Sequence, residues 1–311
     1  MLKQTNRLMK YNQFDLPIVL IIYKRSINFD LIIKSLRTIR PTKIYIIADG
    51  PAPGHEQECH DTRVKLEKLV NWPCTIQKNY AEKNLGLKKR FSSGIDWVFE
   101  HEDRAIFIED DCIPDPSFFR FCDELLEKFK DNDQVMTISG DNFQFGKLKI
   151  DESYYFSRYP HVWGWATWKR AWSKYDQDMQ DWPINKKNNW LVDVLTSRLS
   201  ALNWSYIFDR MYQNKINTWD YQLTYMSLKN KGLNIIPSVN LVSNHGYDNA
   251  ATHTKRKSKV MDMATDTMKF PLVHPSKLEW NDQADKNTDR TVFLNPISML
   301  SLVIKSILGI L

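Results

Sequence analysis

Apolar positions along the first 110 residues fall into blocks separated by polar turns, and the blocks alternate in period. Pro17-Ile18-Val19-Leu20-Ile21-Ile22-Tyr23 is a continuous apolar, β-branched run, the pattern of a strand buried on both faces. Over 28–39, Leu31, Ile32, Ser35, Leu36 and Ile39 recur at helical spacing. Lys43–Ala48 repeats the strand pattern and ends in the turn Asp49-Gly50-Pro51. A helix over 56–70, a strand around Cys74–Lys78, and a helix carrying Leu87, Phe91, Ile95, Val98 and Phe99 come next, followed by the buried run Ala105–Ile108. Strand and helix alternate four times, which predicts an α/β fold: a mostly parallel sheet flanked by helices.

The second half is less regular. Val135–Ser139 and Ser153–Phe156 read as strands, 188–202 and 219–231 as helices, and Ile235–Val242 as extended. A basic run at 255–259 and a polar tail precede a last helical pattern over 297–311. There Ile297, Leu300, Val303, Ile304, Ile307, Leu308 and Leu311 share one face, with Ser298, Ser301 and Lys305 opposite. A helix of that length spans about 22 Å, short of a roughly 30 Å hydrocarbon core. The expectation is an amphipathic C-terminal helix lying on a membrane surface, with docking on the protein's own core as the alternative. No repeat or low-complexity linker occurs. The organisation expected is a polar arm (1–15), one domain (16–255, divided into 16–140 and 141–255) and a tail (256–311).

Composition adds three constraints. At 42% hydrophobic and 26% charged the chain is too apolar for disorder, and no run of 18 apolar residues predicts a spanning helix. The balance of 43 Lys+Arg against 37 Asp+Glu gives +6, compatible with an anionic ligand or membrane surface and too mild to predict nucleic-acid binding. Of eleven Trp, eight fall between Trp163 and Trp219, where indoles can build a core or offer flat faces to sugars. The polar start carries no signal-peptide pattern, and Cys59, Cys74, Cys112 and Cys122 lack zinc spacing, so reduced thiols in a cytoplasmic chain are expected.

The main chemical clue is Glu109-Asp110-Asp111, directly after a buried strand. Ligands of parallel α/β sheets bind at the carboxyl ends of strands. Three adjacent carboxylates repel one another, and Mg²⁺ or Mn²⁺ relieves that repulsion with hard oxygen ligands; a solvated acidic turn is the plainer alternative. Asn84-Leu85-Gly86-Leu87-Lys88-Lys89-Arg90 opens a helix with three cations. Placed there they oppose the helix dipole, a cost that a bound diphosphate would reverse; the alternative is a solvent-facing basic turn.

Pro17–Arg25, Ala48-Asp49-Gly50, Asn84-Leu85-Gly86 and the Glu-Asp-Asp strand followed by Phe118-Phe119 resemble the nucleotide-sugar half of GT-A-fold glycosyltransferases. The pattern is similar to family-2-like bacterial sugar transferases and to the N-acetylglucosaminyltransferase that initiates complex N-glycans. With Gly164-Trp165, Trp219-Asp220 and Asn244–Thr254 the resemblance covers residues 16–255. It implies a Rossmann-like GT-A sheet and a metal-dependent, inverting hexosyltransferase using a UDP-linked sugar donor and Mn²⁺ or Mg²⁺. Asp111 would ligate the metal, with His253 from the C-terminal loop fitting better than His245. Asp110 would face ribose or a metal-bound water, Glu109 the donor sugar, Arg25 the diphosphate and Asp49 the uracil. Asn84, Gly86 and Lys88 would line the donor site, and Lys255 and Arg256 would cover the departing diphosphate. Gly164 would let the backbone approach a sugar beside Trp165. Asp220 matches the general base, with Asp209 and Asp193 as substitutes. The partners implied are a nucleotide-diphosphate sugar and a glycan or lipid-linked acceptor in surface-polysaccharide synthesis, at the inner face of the cell membrane. Two rival functions stay open: a sugar nucleotidyltransferase, although Tyr23-Lys24-Arg25-Ser26-Ile27 has no Gly-rich loop, and a catalytically silent membrane-associated glycan-binding scaffold.

Overall fold

Alternate residues of the first strand serve two different cores. The computed structural model describes residues 14–246 and 260–294, and β1 (Ile18–Ile22) lies near the middle of an eight-stranded sheet. Ile18, Leu20 and Ile22 face α1 (Phe29–Ile39) and α4 (Ser117–Lys128), while Val19 and Ile21 face α3 (Leu87–His101). All five strand residues are buried, and each such side chain contributes roughly 1.5–3 kcal/mol relative to exposure. Helix α1 buries Phe29, Ile32, Ile33, Leu36 and Ile39 on one stripe and stops at Arg40, which turns left-handed (φ 46°) before Pro41. Helix α2 (Glu56–Leu69) adds Leu66 to the same layer.

The remaining strands are β2 (Lys43–Ala48), β3 (Thr75–Tyr80), β4 (Arg104–Glu109), β5 (Cys112–Pro114), β6 (Val135–Ser139), β7 (Tyr154–Ser157), β8 (Trp165–Trp168), β9 (Leu233–Pro237) and β10 (Val242–Asn244). The sheet order is β3-β2-β1-β4-β8-β6-β9-β7. The first four strands are parallel, as the alternation predicts; β8 then runs antiparallel between β4 and β6. The chain leaves β1 toward β2 on one side and reaches β4 on the other, so the strand order reverses between β1 and β4. Ligand crevices form at such a reversal.

Two expectations in the second half are corrected. Ile235–Val242 is not one extended segment: β9 ends at Pro237, and β10 pairs instead with β5 in a separate two-stranded ribbon. The region 188–202 holds two helices, Leu191–Val194 and Arg198–Tyr212, because Ser197 breaks the run and caps the second, its Oγ accepting from Ser200 N at 3.1 Å. The tryptophan-rich zone is mainly core: Trp165, Trp168, Trp172, Trp182, Trp204 and Trp219 are buried. Trp165 stacks between Phe107 (4.8 Å) and Trp219 (5.4 Å), and Trp219 stacks on Phe91 at 3.7 Å.

Residues 267–270 pack on the start of α4, and residues 280–293 pack on the second half. The helix Asp282–Thr288 and the π-helical turn Asp289–Phe293 supply two buried carboxylates. Asp285 accepts from Ser157 Oγ (2.6 Å) and pairs with Arg158 (2.8 Å). Asp289 accepts from Tyr159, Thr196 and Ser200 hydroxyls at 2.6–2.8 Å. Among the described residues no helix is long and apolar enough to cross a membrane. The amphipathic pattern at 297–311 lies outside the described residues.

Candidate active site

Three strand ends supply the site. Tyr23 to Arg25 follow β1, Asp49 follows β2, and Glu109 to Asp111 end β4 and lead into β5. Together with the start of α3 they surround a cleft of about 520 Å³ at the β1/β4 reversal.

The Glu-Asp-Asp cluster is ordered by its neighbours. Asp110, 5% exposed, accepts from Tyr23 N at 3.2 Å, and its carbonyl accepts from Asn28 Nδ2. Arg25 bridges the next two acids: its Nη2 lies 2.8 Å from Asp110 Oδ1 and 2.8 Å from Asp111 Oδ2. Burial pushes the Asp110 carboxyl up to about 7, with the Arg25 charge opposing the rise. Burial, then the Asp111 and Asp110 charges, push Glu109 well above the usual carboxylate range, and Asp220 adds to that push. Burial works against the Arg25 charge, but the flanking carboxylates outweigh it and hold the guanidinium protonated.

Whether these groups suit a divalent cation is decided by their donor atoms. A side chain at Gly246 would place its Cβ 2.5 Å from Asp111 Oδ2 and 2.9 Å from Asn244 Oδ1, so the bare glycine leaves two hard oxygens beside one small space, the first accepting from Arg25 and the second from Gly246 N at 2.8 Å. Mg²⁺ and Mn²⁺ commonly take one or two carboxylates and complete their shell with waters and substrate phosphates. The residues fit such an ion. Among the described residues no set of three or more His, Cys, Asp or Glu side chains forms a complete metal site by itself. His253, Lys255 and Arg256 lie outside the described residues. His245 turns away, its Nε2 3.1 Å from Ser243 Oγ.

Asp49 has a structural occupation. Its carboxylate accepts from Gly50 N, Leu85 N and Gly86 N at 2.8–3.0 Å, and Asn84 Nδ2 returns a bond to Gly50 O at 2.9 Å. The two turns noted in sequence are thereby tied into one wall, and Asp49, Asn84 and Gly86 all line the cleft. Gly86 opens α3 at φ +77°, a conformation that costs other residues free energy. Lys88 departs from expectation: its Nζ reaches Asn214 Oδ1 at 3.1 Å and Asp178 at 3.5 Å, outside the cleft lining. Of the three cations in the Asn84–Arg90 segment Arg90 lines the cleft, its Nη2 3.0 Å from Asn79 Oδ1, and Lys24 joins it there, 3.3 Å from His55 Nε2.

Trp165 is likewise corrected, being 1% exposed in the aromatic stack; Trp163 is the indole that reaches the cleft. Gly164 serves packing, since a Cβ there would meet Val242 Cγ2 at 2.7 Å. Asp220 begins the helix Asp220–Lys229 and accepts from the Thr218 hydroxyl. It is not itself in the cleft lining; it sits three residues after Asn217, which is, and its charge reaches Glu109. Asp209 accepts from Trp182 Nε1 and Lys186, and Asp193 is exposed; neither lines the cleft. Sequence reasoning missed Lys24, His55, Asn217, Asn244 and Gly246. Asn244 and Gly246 stood in the Asn244–Thr254 segment that carried part of the resemblance, and Asn217 stood three residues before Asp220. Lys24 stood inside the Pro17–Arg25 segment beside Arg25, and His55 carried no signal.

No family model matches the chain, and no curated protein matches it. Among solved structures, GalNAc-T7 with UDP, GalNAc and Mn²⁺ is similar at 11% identity and a TM-score of 0.44, over 73% of this chain and 43% of that one. Glucosyl-3-phosphoglycerate synthase from Mycobacterium tuberculosis, with Mn²⁺, UDP-glucose and phosphoglyceric acid, is similar at 13% identity and a TM-score of 0.32, over 66% and 69% of the two chains. UDP-glucose pyrophosphorylase with UDP-glucose follows at 9% identity and 0.28, over 51% and 71%. The matched part spans under half of GalNAc-T7. At this distance the likenesses carry no argument about activity, which rests on the residues of the cleft.

Proposed function

We propose that the protein is a GT-A-type glycosyltransferase that takes a sugar from a UDP-linked donor, with Mn²⁺ or Mg²⁺, and passes it with inversion to a glycan or lipid-linked acceptor. The observation that carries this reading is the cleft at the β1/β4 reversal, where Glu109, Asp110, Asp111 and Arg25 meet Asn244 and Gly246. Asp111 and Asn244 would hold the cation, which when bound offsets the charge of the leaving diphosphate. Arg25 and Lys24 bring positive charge to the same anion. Glu109, whose pKa burial and its acidic neighbours raise above the usual carboxylate range, hydrogen-bonds a donor-sugar hydroxyl. Asp220 accepts the proton of the attacking acceptor hydroxyl at the cleft margin. Trp163 offers the sugar its apolar face. The absence of glycine in Tyr23–Ile27 counts against a nucleotidyltransferase. The Arg25-bridged carboxylates count against a silent scaffold.

The test is a panel of UDP- and GDP-sugars with Mn²⁺, read by release of nucleotide diphosphate and by product NMR. Release from a UDP-sugar that stops with chelator is expected; no release from any donor overturns the reading, and a retained anomeric configuration overturns the inverting step. The setting proposed is the inner membrane face, reached through 297–311. Removing those residues is expected to shift the protein from liposome-bound to soluble while transfer to a soluble acceptor survives. Unchanged sedimentation with a lower melting temperature would assign that segment to the core.

A further inference from the structure

We infer that Arg25 is a built-in cation that holds the place of the divalent metal, so that metal enters only as a nucleotide diphosphate draws Arg25 away. The inference rests on the transferase reading for the identity of the diphosphate, and on geometry for the rest. A single nitrogen, Nη2, stands 2.8 Å from oxygens of both Asp110 and Asp111. That is the position a cation shared by the two carboxylates would take. The Asp111 oxygen it uses, Oδ2, is the one that shares the Gly246 space with Asn244 Oδ1. A divalent ion bound at about 2.1 Å from that oxygen would crowd the guanidinium, and two cations cannot share it at that separation without strong repulsion.

Arg25 is also equipped to leave. It follows β1 in the irregular stretch before α1, and its side chain keeps 18% exposure to the cleft. Asp110 and Asp111 are less exposed, at 6% and 13%, so the acids stay while the arginine swings. The planar guanidinium matches a phosphate as well as a carboxylate, and a diphosphate entering the cleft gives it a new partner with no loss of pairing. Without nucleotide, the latch offsets part of the negative charge of the acid cluster and keeps free cations out. With nucleotide, it is exchanged for metal. Binding of the two ligands is then coupled, and the coupling is the same in both directions.

The test measures Mn²⁺ binding to the full chain by electron paramagnetic resonance of the free ion, for the native protein, Arg25→Gln and Arg25→Lys. Each is measured alone, with UDP and with inorganic diphosphate; calorimetry of UDP runs beside it. The native protein is expected to bind Mn²⁺ at least tenfold more tightly with UDP or diphosphate present. Arg25→Gln is expected to bind Mn²⁺ alone at least tenfold more tightly than native, with the coupling reduced to threefold or less. Arg25→Lys, which retains a cation, should stay near native. Mn²⁺ binding by Arg25→Gln that is absent or no tighter than native overturns the latch. Should that variant not fold, side-chain NMR of the native Arg25, assigned against Arg25→Lys, decides. A guanidinium resonance unmoved by Mg²⁺ with UDP overturns the inference, and a shifted one supports it. A gain of Mn²⁺ affinity without UDP binding in any form keeps the latch and overturns the transferase reading. UDP binding without that gain overturns only the latch.

Discussion

Charged side chains are used in opposite ways in the two halves of the molecule. In the first half, the acids of Glu109–Asp111 stand at a strand end, partly open to a cleft and held by one arginine. In the second half, Asp285 and Asp289 are enclosed, 0% and 2% exposed, and saturated by Ser157, Arg158, Tyr159, Thr196 and Ser200. A carboxylate with all its acceptor capacity filled by fixed groups has nothing left for a ligand. One with a replaceable partner does. The comparison teaches that exchangeability, rather than burial or charge, separates the site from the scaffold. Losses in the first half should cost activity, and losses in the second should cost stability.

The largest expected effect tests the first clause. Asp111→Asn removes the charge facing the Gly246 space, and transfer is expected to fall by about 10³-fold, the upper range for losing one preorganised electrostatic group. Melting temperature should stay within a few degrees of native. A variant that melts much earlier would mean that the cluster is scaffold. The mirror experiment is Asp285→Ala, which leaves Arg158 buried beside Val194 O without its most enclosed carboxylate. Breaking one partner of a buried pair costs about 3–5 kcal/mol, read by denaturant unfolding, while transfer per folded molecule is unchanged. Asp220→Asn is intermediate. It should keep donor affinity and lose transfer by about 10²-fold or more, measured as kcat against KM. Native turnover would remove Asp220 from the mechanism and erase the functional role assigned to its helix start.

The same division explains what could be read from sequence. The β1 run, the α1 stripe and the Asp49 and Glu109 turns were legible because each continuous apolar run or 3.6-period stripe ends where a polar turn begins. The candidate site inherited that legibility through Arg25, Asp49 and Asp111, all at strand ends. Lys88 misled because a cation at a helix start does not say which way its side chain turns, and Asn214 with Asp178 settle that through contacts about 90 or more residues distant in the chain. Trp165 misled for a related reason. An indole has the same composition in a stack as on a sugar platform, and only the long-range neighbours Phe107 and Trp219 distinguish the two. The Asp285–Arg158 link joins positions 127 apart and carries no local pattern at all.

The smallest effect concerns a titration in the second half. His161 is 3% exposed and stacks on Phe143 at 4.4 Å, with Nδ1 3.6 Å from Asp141 Oδ2, beyond a normal hydrogen bond. Burial lowers its pKa from 6.5 to about 4. The unfolded chain therefore binds more protons than the folded one between those values, and stability rises with pH across that window. The contribution is fully present above pH 6.5 and is lost as pH falls toward 4, amounting to about 2 kcal/mol between pH 7 and 5. Asp141 and Asp285, whose carboxyls burial pushes upward, Asp285 to about 6, act with the opposite sign, so the native curve alone does not isolate the histidine. The difference between native and His161→Gln does. The native protein's advantage should shrink by about 2 kcal/mol on going from pH 7 to 5, measured by denaturant unfolding at both values. An advantage that stays constant would mean that folding leaves the His161 pKa unshifted, and one that grows toward pH 5 would mean that His161 is charged in the folded protein and paired with an ionised Asp141. The second half would then hold a true ion pair with an incompletely satisfied partner, and exchangeability would no longer distinguish it from the cleft.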